Sequence, residues 1–508
     1  MFCQLDSLRR CIPRTEDIRR ALDELPKTLD ETYARTMEEI DEKKWKYAHI
    51  FFQCVAVASR PLRVDELAQF LSFDFKAEST PKFKADWRPG DPARTVLSMC
   101  SSLLAVVQPE GYDSPIAQFA HFSVQEYLMS ARLAEAKDTI SRFHVSMTPA
   151  HTIVAQACLG LLLHLDETIT KDSLKSFPLT EYAARYWVGH ARIEDVSSKV
   201  QDGMKILFDP GKSHYSVWAW IYDPEYYERS PDLPERSESP GQARATPLHY
   251  AAFCGLQNVA KFLIVEHSQD VNARGFDKNG TPLHVASRRG HADIAQLLLD
   301  HGADGKARDD NECTPLLLSS SYGHVEVARI LLEHGADTET RDNSGDSPLD
   351  WASARGHVDV ARLLLTNGAD ANTQGHSGWT PLHLASLLGR VGTARVLLDH
   401  GVDANARDVN HSTPLHSASG QSFNLEERLE VVQLLIQNGS DIHARDNEGR
   451  TPFMMATKTN CNEIIGMITV KVSRPFRGRF GSRFESCFET RFSKRVLTLI
   501  AFLILFSK

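Results

Sequence analysis

Thr281-Pro-Leu-His-Val-Ala-Ser-Arg-Arg-Gly290 decides the fold, because the chain repeats its opening phrase. Thr246-Pro-Leu-His249 stands before it. Thr314-Pro-Leu-Leu317, Ser347-Pro-Leu-Asp350, Thr380-Pro-Leu-His383, Thr413-Pro-Leu-His416 and a degraded Thr451-Pro-Phe-Met454 follow. The successive Thr/Ser positions lie 35, 33, 33, 33, 33 and 38 residues apart. A constant period of this size predicts a stacked array in which each copy is one supersecondary unit.

Within the second copy, Thr281 is placed to cap a helix, Pro282 suits its first turn and Gly290 ends it. A second helix is expected from about Asp293, with Ile294, Leu297, Leu298 and Leu299 as its apolar stripe. Gly302-Ala303-Asp304 closes that helix, and Arg308-Asp309-Asp310-Asn311 turns into the next copy. Two short helices cannot hide their own apolar faces, so neighbours must stack. The Thr-Pro-Leu-His phrase, in phase with His-Gly-Ala-Asp at 301–304 and 334–337, resembles the ankyrin repeat over residues 246 to about 465.

Outside the array the chain is ordinary in composition. Of its 508 residues 42% are hydrophobic and 24% charged, so most of it is expected to fold. A net charge of −9 disfavours a general polyanion binder. Nine scattered cysteines without a CxxC pair suggest reduced thiols, hence an intracellular, cytoplasmic protein, with the nucleus also open. The first twenty residues are too charged for a signal peptide. The longest apolar run, Val496–Phe506, is about half the roughly 20 residues a spanning helix needs, so no transmembrane segment is expected.

Residues 1–45 read as a helical remnant in which Thr28-Leu-Asp-Glu31 is a capping box and Leu29, Tyr33, Met37 and Ile40 share a face. Residues 46–132 read as a small mixed domain. Its helices run around Phe51 and over 65–71, strand-like runs follow at 102–107 and 116–121, and a capping box at Ser123–Glu126 opens a further helix. Helix, helix, hairpin is a winged-helix order. Leu25-Pro-Lys-Thr-Leu-Asp-Glu31, Ser59-Arg-Pro-Leu62 before Asp65-Glu-Leu67, and His121-Phe-Ser-Val-Gln-Glu-Tyr-Leu128 resemble the segment after the NTPase domain in fungal NACHT–ankyrin proteins of the STAND class. That resemblance implies a regulated signalling protein with the repeats as its sensing arm, and places the family's phosphate-binding loop upstream of Met1. Arg63 departs from the pattern by standing where a helix-capping Ser or Thr is expected.

Residues 133–228 read as mainly helical, with a buried helix around 153–164. An aromatic cluster from Tyr215 to Tyr227 is expected to cover the first repeat, since terminal repeats need caps. Residues 229–244 read as a polar linker and 245–470 as the repeats, six clear and one degraded. In 471–508, Phe476, Phe480, Phe484, Phe488 and Phe492 recur every four residues. This tail reads as a poorly ordered translated simple repeat, with membrane-surface attachment as the competing reading. The expected fold class is mainly α: a winged-helix-like and helical N-terminal region followed by an ankyrin-repeat α-solenoid.

A search for chemistry returns no catalytic, cofactor or metal site. Gly211-Lys212-Ser213 follows the strand-like run 204–208, but Ile206 occupies the first glycine of a phosphate loop. His249, His284, His383 and His416 recur too far apart for one ion, because stacked helices lie about 8–10 Å apart and zinc needs each nitrogen within about 2.1 Å. Asp65 and Glu66 at the start of the second helix oppose a DNA duplex, so no nucleic acid partner is expected.

Surface remains. The second and third residues after each signature alanine are expected in the concave groove: Phe253, Arg288 and Arg289, Tyr322, Arg355, and Leu387 and Leu388. Loop tips add Asp277 and Lys278, Arg308 and Asp309, Arg341 and Asp342, His376, and Arg407 and Asp408. Arginine and aromatic groups dominate protein-binding energy. The expected function is therefore a non-catalytic scaffold or sensor arm gripping a partner protein. A fragment of a STAND NTPase is the alternative. The sixth copy also carries a five-residue insertion around 420–427.

Overall fold

In the first five copies the proline-led helix is followed by a glycine in the left-handed region, at φ 76° for Gly290, 79° for Gly323 and 80° for Gly356. The computed structural model describes residues 28–75, 80–100, 102–110, 114–136, 139–193, 195–225, 237–241, 243–276, 278–420, 425–459 and 461–469. The expectations for 1–27, for the 471–508 tail, for Asp277, for Tyr226 and Tyr227 and for most of the linker lie outside these residues. The chain divides into two compact units, 1–270 and 271–508.

The first unit opens with α1 (Leu29–Glu38), where the Thr28 hydroxyl accepts the N–H of Glu31 at 3.1 Å. Then α2 (Trp45–Val57) buries Phe51, Phe52 and Cys54 before Pro61 stops it. Strand β1 (Leu62–Arg63), helix α3 (Val64–Gln69), the ribbon β2 (Phe73–Asp74) with β3 (Lys82–Phe83), helix α4 (Pro92–Cys100) and the hairpin β4 (Leu104–Val107) and β5 (Ile116–Phe119) follow. Strand β5 lies between β1 and β4, all antiparallel, with Leu62 and Val106 both opposite Ala117. The helix directly before the hairpin is thus α4, not the 65–71 segment taken above as the second of only two. Strands of two residues and a nine-residue helix are too short to write a period. Nor does the acidic start of α3 face a ligand: Glu66 is fully buried, accepts the Arg63 N–H at 2.8 Å and grips Arg60 at 2.8 and 2.6 Å.

Next come α5 (Phe122–Leu128), capped by His121 rather than Ser123, then α6 (Met147–Leu162), α7 (Thr180–Ala191), α8 (Val196–Phe208) and α9 (His214–Ile221). The run 204–208, read above as strand-like, is the last turn of α8. Buried Val196, Val200, Met204 and Leu207 have helical spacing that the five-residue window could not show. Trp187, Phe208 and Trp218 meet at 5.6–6.3 Å between ring centroids. Trp218 also meets, edge-on at 5.6 Å, Tyr250 of α10 (Pro247–Cys254). Lys205 lies over Phe262 of α11 (Gln257–Val265) at 5.1 Å. The first helix pair therefore packs on α8 and α9.

The second unit holds the remaining pairs: α12 (Pro282–Arg289) and α13 (Ala292–Asp300), α14 (Pro315–Tyr322) and α15 (Val325–Glu333), α16 (Pro348–Arg355) and α17 (Val358–Thr366). Helices α18 (Pro381–Leu387) and α19 (Val391–Asp399), then α20 (Pro414–Ser419) and α21 (Leu425–Gln437), continue it. Helix α22 (Pro452–Lys458) and the helical residues 462–469 end it. First helices pack on first helices and second on second. Leu283, Leu316, Leu349, Leu382 and Leu415 form one buried column, and Leu298, Leu331, Leu364, Leu397 and Leu435 another.

The terminal glycine has two reasons to be glycine. Its positive φ strains any side chain, and the next copy fills the space where one would go. A Cβ on Gly290 would stand 2.4 Å from His324 Nδ1, and one on Gly323 2.5 Å from His357 Nδ1. Those histidines use Nε2 to bond the preceding helix end, His324 to the Arg288 carbonyl at 3.0 Å and His357 to Ser321 at 3.1 Å. Arg390 does the same to Ala354 at 3.1 Å. The third, fourth and fifth copies thus each cap an orphan carbonyl of their predecessor.

A column of five serines, Ser287, Ser320, Ser353, Ser386 and Ser419, runs through the first helices fully buried, with no protein partner for the hydroxyl. Burying an unpaired polar group costs about 1–3 kcal/mol. Ser353→Ala is expected to raise the thermal midpoint of the full chain, by about 1 kcal/mol in stability, whereas Gly323→Ala is expected to lower it by more, both read by circular-dichroism melts.

Candidate functional site

The repeated histidines are committed to the stack. Thr281 donates its N–H to His284 Nδ1 at 3.1 Å, so the ring proton sits on Nε2, which donates to the Cys313 carbonyl of the next copy at 3.0 Å. His383 bonds Ser412 and His416 bonds Arg450 in the same way, each at 3.0 Å. Burial pushes the His284 pKa down to about 4 and lowers those of His383 and His416, keeping the rings neutral. Among the described residues no three His, Cys, Asp or Glu side chains gather as a metal site, and no helix is long and apolar enough to cross a membrane.

The loop tips turn inward as well. Asp309 is 4% exposed and accepts the N–H groups of Asn311 and Cys313 at 2.9 and 3.0 Å. Asp342 accepts from Ser344 and Asp346, and from the Trp351 indole at 2.8 Å. Asp408 accepts from Asn410 and Ser412, and from Trp379 at 3.1 Å. The tip arginines staple one copy to the next. Arg274 donates to the Arg308 carbonyl, Arg308 to Arg341 at 3.0 Å, Arg341 to Gln374 at 2.9 Å and Arg407 to Arg445 at 3.0 Å. Lys278 reaches Asn311 at 3.3 Å, and His376 is exposed. Most tip side chains expected to meet a partner therefore build the turns themselves. Their recurrence every 33 residues was the signal of that role.

The first-helix ends are different. Tyr322 is 54% exposed and stacks on His324, with 6.4 Å between ring centroids and 4° between planes. Arg355 is exposed over the Trp351 ring at 5.7 Å. Arg288, Arg289, Leu387 and Leu388 are half-buried, and Phe253, in the first unit, is buried. Half-buried Trp351 and Leu384 belong to the same helices and were not among the expected residues. The fifth position of each copy, compared down the array as Val285, Leu318, Trp351, Leu384 and Ser417, would have revealed them.

The fourth copy interrupts the histidine ladder. Asp350 stands where His284 and His383 stand, fully buried. Its Oδ2 accepts the N–H and hydroxyl of Ser347 at 2.9 and 2.8 Å, while Oδ1 has no protein partner. Burial, with the nearby Asp346 adding to it, pushes its pKa up to about 7.

Comparison with known proteins agrees with the repeat geometry. A model of ankyrin repeats (3 copies) matches residues 232–309, 304–375 and 364–446. The azaphilone pigments biosynthesis cluster protein L of Monascus ruber is 32% identical over 297 residues, 56% of this chain and 61% of its own length. Palmitoyltransferase ZDHHC17 of Danio rerio is 34% identical over 110 residues, 20% of this chain and 18% of its own. The chain thus spans less than two-thirds of either relative. The human ASB11 ankyrin repeat domain shares 30% identity at a TM-score of 0.38, covering 42% of this chain and 91% of that one. The Bcl-3 ankyrin repeat domain shares 29% at 0.37, covering 42% and 93%.

Because folding favours the protonated form of Asp350, its contribution to stability is present at low pH and is lost as pH rises from about 4, the free value, through about 7. Asp350→Asn keeps the shape and removes the charge. Its melting temperature is expected to exceed that of the unaltered chain by a margin that widens from pH 5 to pH 8; a margin independent of pH would contradict this.

Proposed function

We propose that the ankyrin repeats of residues 232–446 make this chain a non-catalytic arm that binds a partner protein through the ends of its first helices. One observation carries the reading. At the same two helix positions in successive copies, Arg288, Arg289, Tyr322, Arg355, Leu387 and Leu388 keep side-chain surface toward solvent, whereas the tip aspartates and arginines are spent on the turns. Tyrosine and arginine are the groups that most often anchor protein interfaces. A cytoplasmic site of action fits the scattered cysteines, of which Cys54, Cys158, Cys254, Cys313 and Cys461 are free thiols.

The alternative is that the chain is the C-terminal part of a STAND-class signalling NTPase. The strand order β1-β5-β4, with α3 and α4 between β1 and β4, is consistent with a winged helix that has one helix more than the sequence reading gave. A phosphate-loop motif encoded upstream of Met1 would favour this reading.

The interaction reading is tested by cross-linking pull-down with the full chain and with a variant carrying Ala at Arg288, Arg289, Tyr322, Arg355 and Leu388. Loss of specific partners at unchanged circular dichroism is expected. Retention of every partner would overturn it.

A further inference from the structure

We infer that the segment gripped by the second to fifth copies is an extended acidic polypeptide whose trailing end is aliphatic. This rests on the reading that the first-helix ends bind a partner. Charge carries the rest. The chain is net acidic at −9, yet its carboxylates avoid the first helices of these copies: over 282–289, 315–322, 348–355 and 381–387 the one carboxylate is Asp350, and it is fully buried. The second helices carry Asp293, Asp300, Glu326, Glu333, Asp359 and Asp399 alongside Arg329, Arg362 and Arg395. Positive charge on the first helices is Arg288, Arg289 and Arg355, in the last turns. Basic side chains there also suit the helix dipole, but Tyr322 and the leucines occupy the same positions without gaining from it. Sign and polarity are therefore sorted along one row: two arginines, then tyrosine, then arginine over tryptophan, then two leucines.

Three helix spacings of about 8–10 Å separate the second copy from the fifth, so the row is about 24–30 Å long. An extended chain rising about 3.3 Å per residue covers it with eight or nine residues. Carboxylates would lie by Arg288, Arg289 and Arg355, where a guanidinium donates two parallel hydrogen bonds to a carboxylate, and aliphatic side chains by Leu387 and Leu388. The reverse charge pattern would be repelled by the three arginines of the row.

The test uses the full chain and fluorescein-labelled nine-residue peptides, one of five glutamates, one glycine and three leucines, the other with lysines in place of the glutamates. Anisotropy is expected to show binding of the glutamate peptide alone, weakened several-fold between 50 and 300 mM salt and roughly tenfold by Arg355→Glu, with Arg355→Lys retaining most of it. Equal or stronger binding of the lysine peptide, or indifference to Arg355→Glu, overturns the inference. Panning random nonapeptides on the same chain separates it from the reading beneath it. Selected peptides without acidic residues whose binding is lost in Leu387→Ala/Leu388→Ala overturn the acidic partner and leave the interaction role standing. If no selected peptide responds to changes along the row, both fall.

Discussion

Short helices that cannot bury their own apolar stripes are obliged to lean on copies of themselves, and the hydrogen bond that fixes the spacing runs from a side chain of one copy to a main-chain carbonyl of the next. His284 to Cys313, His383 to Ser412 and His416 to Arg450 are that bond on one edge of the first helix. On the other edge, His324, His357 and Arg390 reach back to the helix ends behind them. Each bond satisfies a carbonyl that would otherwise be orphaned in a dry seam, where an unpaired group costs more than a bond gains. The leucine columns supply most of the burial, but they would tolerate sliding. Directional bonds such as His284 to Cys313 and His324 to Arg288 do not.

This arrangement decides which surface is left for other work. The tips carry the most conspicuous charge in the sequence, yet the ladder consumes it: aspartates hold the turn amides and arginines cross to the neighbouring turn. An exposed guanidinium so tied keeps its charge and loses its freedom to reorient. In the last turns of the first helices the residue type changes from copy to copy, from Arg288 and Arg289 through Tyr322 and Arg355 to Leu387 and Leu388. Variation at a position that stacking leaves open is what a binding surface built on a repetitive scaffold requires.

The first unit works by different means. Its sheet has only short strands, and an aromatic and ion-pair core stands in for repetition. Trp187, Phe208 and Trp218 fill one layer and meet Tyr250 of the first helix pair. Glu66, buried between Arg60 and the Arg63 amide, ties the start of α3 to the turn before it, with Arg60 lying over Tyr182 at 5.2 Å. Glu66 supplies the N3 half of a capping box by accepting the Arg63 N–H, and the Glu66 N–H that a serine or threonine at position 63 would have taken goes to Asp65 Oδ1 at 2.9 Å.

Repetition made the array legible before any coordinates: seven copies of one phrase average out the ambiguity of each, so helix starts, glycine stops and the need to stack followed from period and polarity. The N-cap at Thr28 was legible for a similar reason, since its hydroxyl and the Glu31 N–H it accepts are three residues apart. What the sequence did not yield were features made by residues far apart in the chain. Strand β1 is defined only by its pairing to β5, α4 is too short to write a period, and 204–208 looked extended until Val196 and Val200 joined the same helix face. The tip residues Asp309 and Arg341 looked like ligands because charge in a polar turn reads as surface. Asp309 turns back on the amides of its own turn, and Arg341 reaches the Gln374 carbonyl of the stacked neighbour 33 residues away; neither is visible in a polar tip read by itself.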